Sequence, residues 1–333
     1  MFSTSPQRKL ILSRKRCRPL IEKIQEEFKF EIVKSCNVCG HNTKTILSVM
    51  DRYGIPIRTA MCNNCGLVYL VDRPDKNSYQ IFYQKYYRPL ISKYWGHKID
   101  NDHIVHHQDG FTRKLLASLY GVVSFKEINT LLDIGGSTGM IAHALAEKYH
   151  LKATVLDPSA DELAVAESKG LDTIHGFIED YEPNRSFDII LFLQTIDHVF
   201  DLRKTLERIA LMLNDGGVFV VDTVNLPLVN EDQTYLGSFF KIDHCYYFTN
   251  DYMMGLLRVF GFKILNMDIA SWPGHTMFVC QKTKEFVADE IEIDINRLRN
   301  HFIQNIEHDY YHQSSWKDNA IRTLARLKRR WIK

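Results

Sequence analysis

From residue 129 onward the chain alternates apolar runs with amphipathic stretches. "TLLDIGG" reads as a buried strand entering a glycine-rich turn, and "MIAHALAEKY" as a helix with Ile141, Ala142 and Leu145 on one face. "KATVLDPS" is a second strand. "ADELAVAESKG" is a helix with Ser159 as its cap, Glu162 three residues on and Gly170 past its end. "DTIHG" and "FDIILFLQ" are strands. "LRKTLERIALML" places Leu202, Leu206, Ile209 and Leu213 in helical register, and "GGVFVVDTV" is again a strand. "TNDYMMGLLRVFG" runs as a helix from the cap Thr249 to the stop Gly261, and "FKILNMDIA" and "HTMFVCQK" follow with no helix between them. Alternating strand and helix predicts an α/β fold with a mostly parallel, doubly wound sheet. The closing pair, joined by "SWPG", predicts an antiparallel hairpin at one edge.

The text before residue 126 is patterned differently. Residues 1–33 predict a basic helix with a ragged apolar face of Leu10, Ile11, Leu20, Ile21, Ile24 and Phe28. Residues 34–72 predict a small β-rich unit held by two knuckles. Residues 73–125, with "YQIFYQKYYRPL" and the histidine-rich "HIVHHQDG", predict a linking helical region at the substrate and cofactor side. Residues 126–283 form the alternating core, and 284–333 predict a helical extension with a basic end.

Composition adds bounds. Of the 333 residues 45% are hydrophobic and 25% charged, an ordinary globular balance, and the net charge of +2 argues against a general polyanion binder. No apolar run reaches the roughly 18 residues of a membrane span, and the start of the chain lacks the apolar segment of a signal peptide. Four of the seven cysteines fall in two C-x-x-C pairs, Cys36/Cys39 and Cys62/Cys65. Thiolates two residues apart on a tight turn reach one ion, and Gly40 and Gly66 let each turn close. Two such turns complete a tetrahedral four-sulfur shell, which predicts structural Zn²⁺ and a reducing, cytoplasmic setting. A closed shell leaves no position for a substrate.

The turn "DIGGSTG" sits where such sheets hold a nucleotide-like cofactor, after the first strand. A dinucleotide site has the spacing G-x-G-x-x-G, with a pyrophosphate at the helix start. Here the spacing is G-G-x-x-G, and Asp133 precedes it. A carboxylate about 4 Å from a phosphate charge, at an effective dielectric near 20, repels it by about 4 kcal/mol. The same carboxylate attracts an ammonium and a sulfonium, which are the charges of S-adenosylmethionine. Asp157, ending the second strand, can accept both ribose hydroxyls. Phe177 and Ile178 after the third strand could flank an adenine, and Glu179 could approach its amino group.

Together "LLDIGGSTG", "VLDPS", "FDIILFLQTIDHVFDLRKTLERIALMLNDGGVFVVD" and "YYFTNDYMMGLLRVFGF" resemble the class I S-adenosylmethionine-dependent methyltransferases over about residues 110–282. The resemblance implies a Rossmann-like, seven-stranded sheet with its last strand antiparallel. It implies that Asp133, Gly135, Gly136, Ser137 and Gly139 hold the methionine part of the cofactor. Asp157, with Pro158 beside it, would hold the ribose, Phe177 and Ile178 the adenine, and Gln194 would lie under the sulfonium. The front end, "CNVCG…GIPIRTAMCNNCGLVYL" followed by "FYQKYYRPL", resembles the NDP-sugar C-methyltransferases, which carry a zinc-binding domain before this core. There the implied aromatics over the cofactor are Tyr86 and Tyr87. "IDHCYYFT" matches that family's acid–histidine and aromatic pairs, with Asp243 standing where the family usually has Glu.

Methyl transfer from a sulfonium needs a positioned acceptor and a base for its proton. A histidine oriented by a carboxylate suits that task. The pairs Asp243–His244 and Asp197–His198 are the two candidates. The family's sizeable third domain has no counterpart here, where some 50 residues follow the last strand. That widens the expected acceptor from a sugar nucleotide to other small-molecule or glycan-type compounds, methylated on carbon or oxygen. Nucleic acid is not expected as partner, because the zinc unit lacks a basic stripe interleaved with aromatics. The basic end "LARLKRRWIK" would suit contact with a membrane surface. A nucleic-acid or protein modifier and a non-catalytic relative are the alternatives.

Overall fold

The computed structural model describes residues 6–99, 101–226, 236–272, 274–283, 294–300 and 302. In chain order the elements are α1 (Pro6–Glu27), β1 (Phe30–Ile32), β2 (Lys44–Ser48), β3 (Thr59–Cys62), β4 (Val68–Leu70), β5 (Asp72–Pro74), α2 (Lys76–Ile81), a single π-helical stretch (Phe82–Tyr86), α3 (Tyr87–Trp95) and α4 (Asn101–Leu119). The core follows with β6 (Thr130–Ile134), α5 (Met140–Tyr149), β7 (Lys152–Asp157), α6 (Ala160–Ser168), β8 (Asp172–His175), β9 (Phe187–Leu193), α7 (Leu202–Met212), β10 (Leu213–Val224), β11 (Tyr246–Tyr247), α8 (Asn250–Val259), β12 (Phe262–Trp272) and β13 (His275–Lys282).

Seven strands form the large sheet in the order β12-β13-β10-β9-β6-β7-β8. β8, β7, β6, β9 and β10 are mutually parallel, and β13 runs antiparallel to both β10 and β12. The strand order reverses between β6 and β9, which opens a crevice at the carboxyl ends of these strands. Its inner strands β6, β7, β9 and β10 are largely buried on both faces, so they carry continuous apolar text rather than alternation. Leu132, Ile134, Ile190, Phe192, Phe219 and Val221 pack against Leu202, Leu206 and Ile209 of α7 and Met253, Leu256 and Leu257 of α8. The opposite face sets Leu131, Val155, Ile189, Leu191 and Val220 against Phe111 and Leu115 of α4, Leu145 of α5 and Leu163 of α6.

Helix starts are fixed by local chemistry. Ser159 Oγ accepts from Glu162 N, Asp201 from Lys204 N and Thr249 from Tyr252 N, each satisfying one free N–H of a first turn. Two expectations shift. Leu213 begins β10, and Met212 completes the apolar face of α7. Ile11 is exposed on α1; the helix packs instead through Cys17, Ile21 and Ile24, in one cluster with Met61 of the small sheet, Phe82 and Leu90 of α3.

The second, smaller sheet has the order β11-β4-β3-β2. Its edge strand comes from far along the chain: Tyr246 pairs with Tyr69 and Tyr247 with Val68. A third core joins this sheet to α1, the π-helical stretch and α3 through Ile24, Phe28, Met61, Phe82 and Leu90, with Phe240, Ile242, Leu298 and Phe302 added from the other end of the chain. The basic end "LARLKRRWIK" lies outside the described residues, as do the side chains of "HIVHHQD" at 103–109. Among the described residues no helix is long and apolar enough to cross a membrane.

Candidate active site

The glycine turn between β6 and α5 is built around Asp133. Its carboxyl is 2% exposed, and Oδ2 receives no hydrogen bond among the described residues. Burial, and then the charge of Asp157, push its pKa up to about 7. Gly136 lies directly against it: a Cβ there would stand 2.6 Å from the Asp133 carboxyl. Gly135 (φ +71°) and Gly139 (φ +68°) occupy the left-handed region, where a Cβ would also meet Thr195 at 2.5 Å and Leu171 at 2.4 Å. The turn is thus pressed against a buried acid with an unused oxygen, and an ammonium is the group that would satisfy it.

Asp157 ends β7 with one oxygen accepting Ser137 N (2.9 Å) and the other Ser159 N (2.8 Å). Each oxygen keeps a lone pair, so the carboxylate can both brace the turn and take a diol. Burial raises its pKa from the ordinary carboxylate value. Ser137 Oγ donates to Glu162 at 2.9 Å. Phe177 is half-buried, with Lys76 Nζ 4.5 Å from its ring centroid. Ile178 lies in the apolar core. Glu179 accepts from Phe200 N at 2.6 Å, so its Oε1 serves the loop before α7. The carbonyl of Pro158 lies 3.1 Å from His175 Nε2. Gln194, at the carboxyl end of β9, is left-handed (φ 52°), and its N–H reaches the Asp222 carbonyl at 3.3 Å. The residues gathered at this crevice therefore fit an adenosyl cofactor with a cationic amino-acid end.

The histidine–acid candidates meet, but exchange partners. His244 Nδ1 donates to Asp197 Oδ2 at 2.7 Å. Asp243 Oδ2 is 3.9 Å from His244 Nε2, and Asp197 Oδ1 is 3.8 Å from His198 Nε2, both too long for hydrogen bonds. Asp197 leaves the end of β9 on a short 3₁₀ turn, whereas His244 precedes the edge strand of the small sheet. Burial lowers the His244 pKa to about 4, against the upward pull of Asp197. Burial alone would raise Asp197, but His244 and His198 hold it below the usual carboxylate range. His198 Nδ1 lies 2.7 Å from both the Asp243 carbonyl and Tyr83 Oη, and its ring meets that of His244 edge-on at 4.5 Å.

Several partners were not visible in sequence. Tyr79 Oη donates to the Asp243 carbonyl, and Tyr83 caps His198 from the π-helical stretch. Tyr87 packs against Tyr83 at 5.2 Å, on the site side. Tyr86 faces the other way and donates to Glu27 of α1. Asp51 is fully buried; Oδ1 accepts Tyr53, Gly54 and Ile55 N–H groups, and Oδ2 accepts Ile242 N–H at 3.2 Å. It fixes the segment entering Asp243, and its own pKa is driven up to about 7 by burial. A second pair, His275 Nδ1 with Asp222 Oδ2 at 2.9 Å, lies on β13 and β10. These links join residues far apart in sequence and are made only on folding.

Cys36, Cys39, Cys62 and Cys65 converge, with all four sulfurs within 4.8 Å of one another. Cys36 and Cys65 Sγ are 3.6 Å apart, and Cys39 and Cys62 Sγ 3.5 Å. Sulfurs at about 2.3 Å from one Zn²⁺ in a tetrahedron stand about 3.8 Å apart, so this set could hold the ion with small movements. Gly40 N–H returns to the Cys36 carbonyl and Gly66 N–H to that of Cys62, and Asn64 N–H points at Cys62 Sγ (3.4 Å). Tyr252 of α8 lies 3.7 Å from Cys65 Sγ.

A family model described as a methyltransferase domain matches residues 79–266, more than half of the chain. Among curated proteins, the chain is 30% identical over 135 residues to a ubiquinone biosynthesis O-methyltransferase of Bradyrhizobium sp. (strain ORS 278), covering 39% of this chain and 53% of that protein. It is 33% identical over 101 residues to the protein of that name from Bradyrhizobium diazoefficiens, covering 28% and 40%. The chain spans about half the length of these relatives, or less. Among solved structures, an O-methyltransferase family protein from Burkholderia thailandensis superposes with a TM-score of 0.44 at 15% identity, over 55% of this chain and 58% of that one. Strand order, the acid beneath the glycine turn and the match over residues 79–266 agree: the chain belongs to the class I S-adenosylmethionine-dependent methyltransferases.

Proposed function

We propose that this enzyme transfers the methyl group of S-adenosylmethionine to a hydroxyl of a small-molecule acceptor, with His244 and Asp197 handling the acceptor's proton. The observation that carries the reading is the 2.7 Å contact of His244 Nδ1 with Asp197. It puts the hydrogen on Nδ1 and leaves the lone pair on Nε2. The low His244 pKa keeps the ring neutral near pH 7, ready to take a proton. Asp197 lies three residues past Gln194, which follows β9 at the crevice where the cofactor's sulfonium is expected.

Asp133, Gly135, Gly136, Ser137 and Gly139 hold the amino-acid end of the cofactor in this reading. Asp157 and Pro158 serve the ribose, Phe177 the adenine, and Tyr87 covers the site. Ile178 supports Phe177 from the core. The four cysteines hold one structural Zn²⁺. It closes the small sheet whose edge strand begins two residues after His244. A glycan-type acceptor follows from the resemblance of the cysteine unit and "IDHCYYFT" to the sugar C-methyltransferases. An acceptor from ubiquinone biosynthesis is the second reading, favoured by the names of the curated relatives.

The test is methyl transfer from radiolabelled S-adenosylmethionine to panels of catechols, free sugars and nucleotide sugars, by wild type and His244→Ala. Transfer to one panel, lost in the variant, is expected. Transfer only to RNA or protein, or full turnover by His244→Ala, overturns the reading.

A further inference from the structure

Around Asp197 hydrogen-bond acceptors converge without donors to match. His244 gives its Nδ1 hydrogen to Asp197 Oδ2 at 2.7 Å, so the lone pair on Nε2 faces Asp243 Oδ2 at 3.9 Å. His198 Nδ1 lies 2.7 Å from the Asp243 carbonyl. A carbonyl has no hydrogen to give, so Nδ1 carries it, and the Nε2 lone pair faces Asp197 Oδ1 at 3.8 Å. Asp197 Oδ1 and both oxygens of Asp243 receive no hydrogen bond from another described residue. Asp197 and Asp243 are 3% and 1% exposed, so water does not solvate them freely. Two buried carboxylates and two imidazoles thus meet with more acceptor atoms than hydrogens to fill them, a setting suited to a small cation.

We propose that Asp197, His198 and His244 form a binding site for a divalent metal ion, with Asp243 at its border, distinct from the four-cysteine cluster. One ligand atom from each of the three lies within 4.8 Å of the others. Ligands at about 2.1 Å from a shared ion stand roughly 3.0–3.4 Å apart, so modest side-chain rotation closes the set once the His244 hydrogen sits on Nε2, facing Asp243, and Nδ1 beside Asp197 is free to ligate. Two imidazoles and a carboxylate suit Mn²⁺, Fe²⁺ or Zn²⁺, whereas four thiolates select Zn²⁺. Lys241, whose ammonium is disfavoured by burial, is the side-chain charge that otherwise offsets these carboxylates. With the ion bound His244 would be a ligand rather than the free base, and the ion's charge would instead favour the ionised form of an acceptor hydroxyl placed beside it. That role rests on the reading above; the binding site itself does not.

The test uses the full chain with Zn²⁺ on its cysteines, titrated with Mn²⁺ and followed by the free-ion electron paramagnetic resonance signal. Uptake of one Mn²⁺ per chain is expected. Asp197→Asn and His198→Gln should each weaken it at least tenfold, and His175→Ala should not. Calorimetry with S-adenosylmethionine on the same samples reports the cofactor site separately and shows that the variants fold. No saturable uptake by wild type, or uptake unchanged in both variants, overturns the proposal whether or not the cofactor binds.

Discussion

Asp197 and His244 are joined at 2.7 Å, and neither is joined to the residue beside it in sequence that offered the same chemistry. The loop after β9 supplies the acid and the segment before β11 the imidazole, so the pair spans the large and small sheets. His244→Ala should lower the methyl-transfer rate by about a hundredfold or more, the usual contribution of a positioned base. Asp197→Asn keeps an oxygen for Nδ1–H but removes the charge that pulls the His244 pKa upward. The rate plateau should fall, and the acid limb of the pH–rate profile, near pH 4 in the wild type, should move lower. A limb that stays in place separates the two residues functionally.

Asp133 should make cofactor binding pH-dependent. Its pKa of about 7 means that much of it is protonated below neutrality, while an ammonium on the cofactor favours the ionised form. Binding below pH 7 must therefore release a proton, and affinity should rise as pH rises through 7. Asp133→Asn should bind more weakly and lose that dependence. Calorimetry in buffers of different ionisation enthalpy counts the protons directly.

Gly139→Ala tests the packing of the turn. The new Cβ would meet Leu171 at 2.4 Å and Ala166 and Val155 at 3.1 Å, in a backbone conformation of φ +68°. Overpacking and left-handed strain together should cost about 2–3 kcal/mol, read as a lower denaturant midpoint at unchanged m-value.

Metal removal should reach beyond the cysteines. The purified chain should carry one Zn²⁺ on Cys36, Cys39, Cys62 and Cys65, retained in Asp197→Asn. Stripping it with a chelator should lower the melting temperature and weaken methyl transfer together, because β4 of the cysteine unit pairs directly with β11 behind His244. Unchanged unfolding after chelation would show that the thiols hold the fold alone.

Much of the large sheet was legible in sequence. Strands buried on both faces carry uninterrupted apolar text, helices keep a 3.6-residue stripe, and caps such as Ser159 and Thr249 act within one turn. The glycine turn beside Asp133 was legible for the same reason: Asp133, the glycines and Asp157 are placed by the backbone geometry of two neighbouring strands. Where the signal needed a distant partner it gave less. Ile11 shared the apolar face of α1 but stays exposed in the fold, and Tyr86 looked like its neighbour Tyr87 until α1 turned it toward Glu27.

By itself the sequence determined the alternation that makes the sheet, the acid under the glycine turn and the four thiols at ion-binding spacing, because each follows from interactions along a few residues or from the period of apolar positions. Only the tertiary structure decided which acid orients which histidine. That pairing depends on β11 leaving the core to complete the small sheet, a long-range backbone match between Tyr246–Tyr247 and Val68–Tyr69. It brings His244 across to Asp197 and leaves the Asp243 carboxylate buried with no hydrogen bond from another described residue.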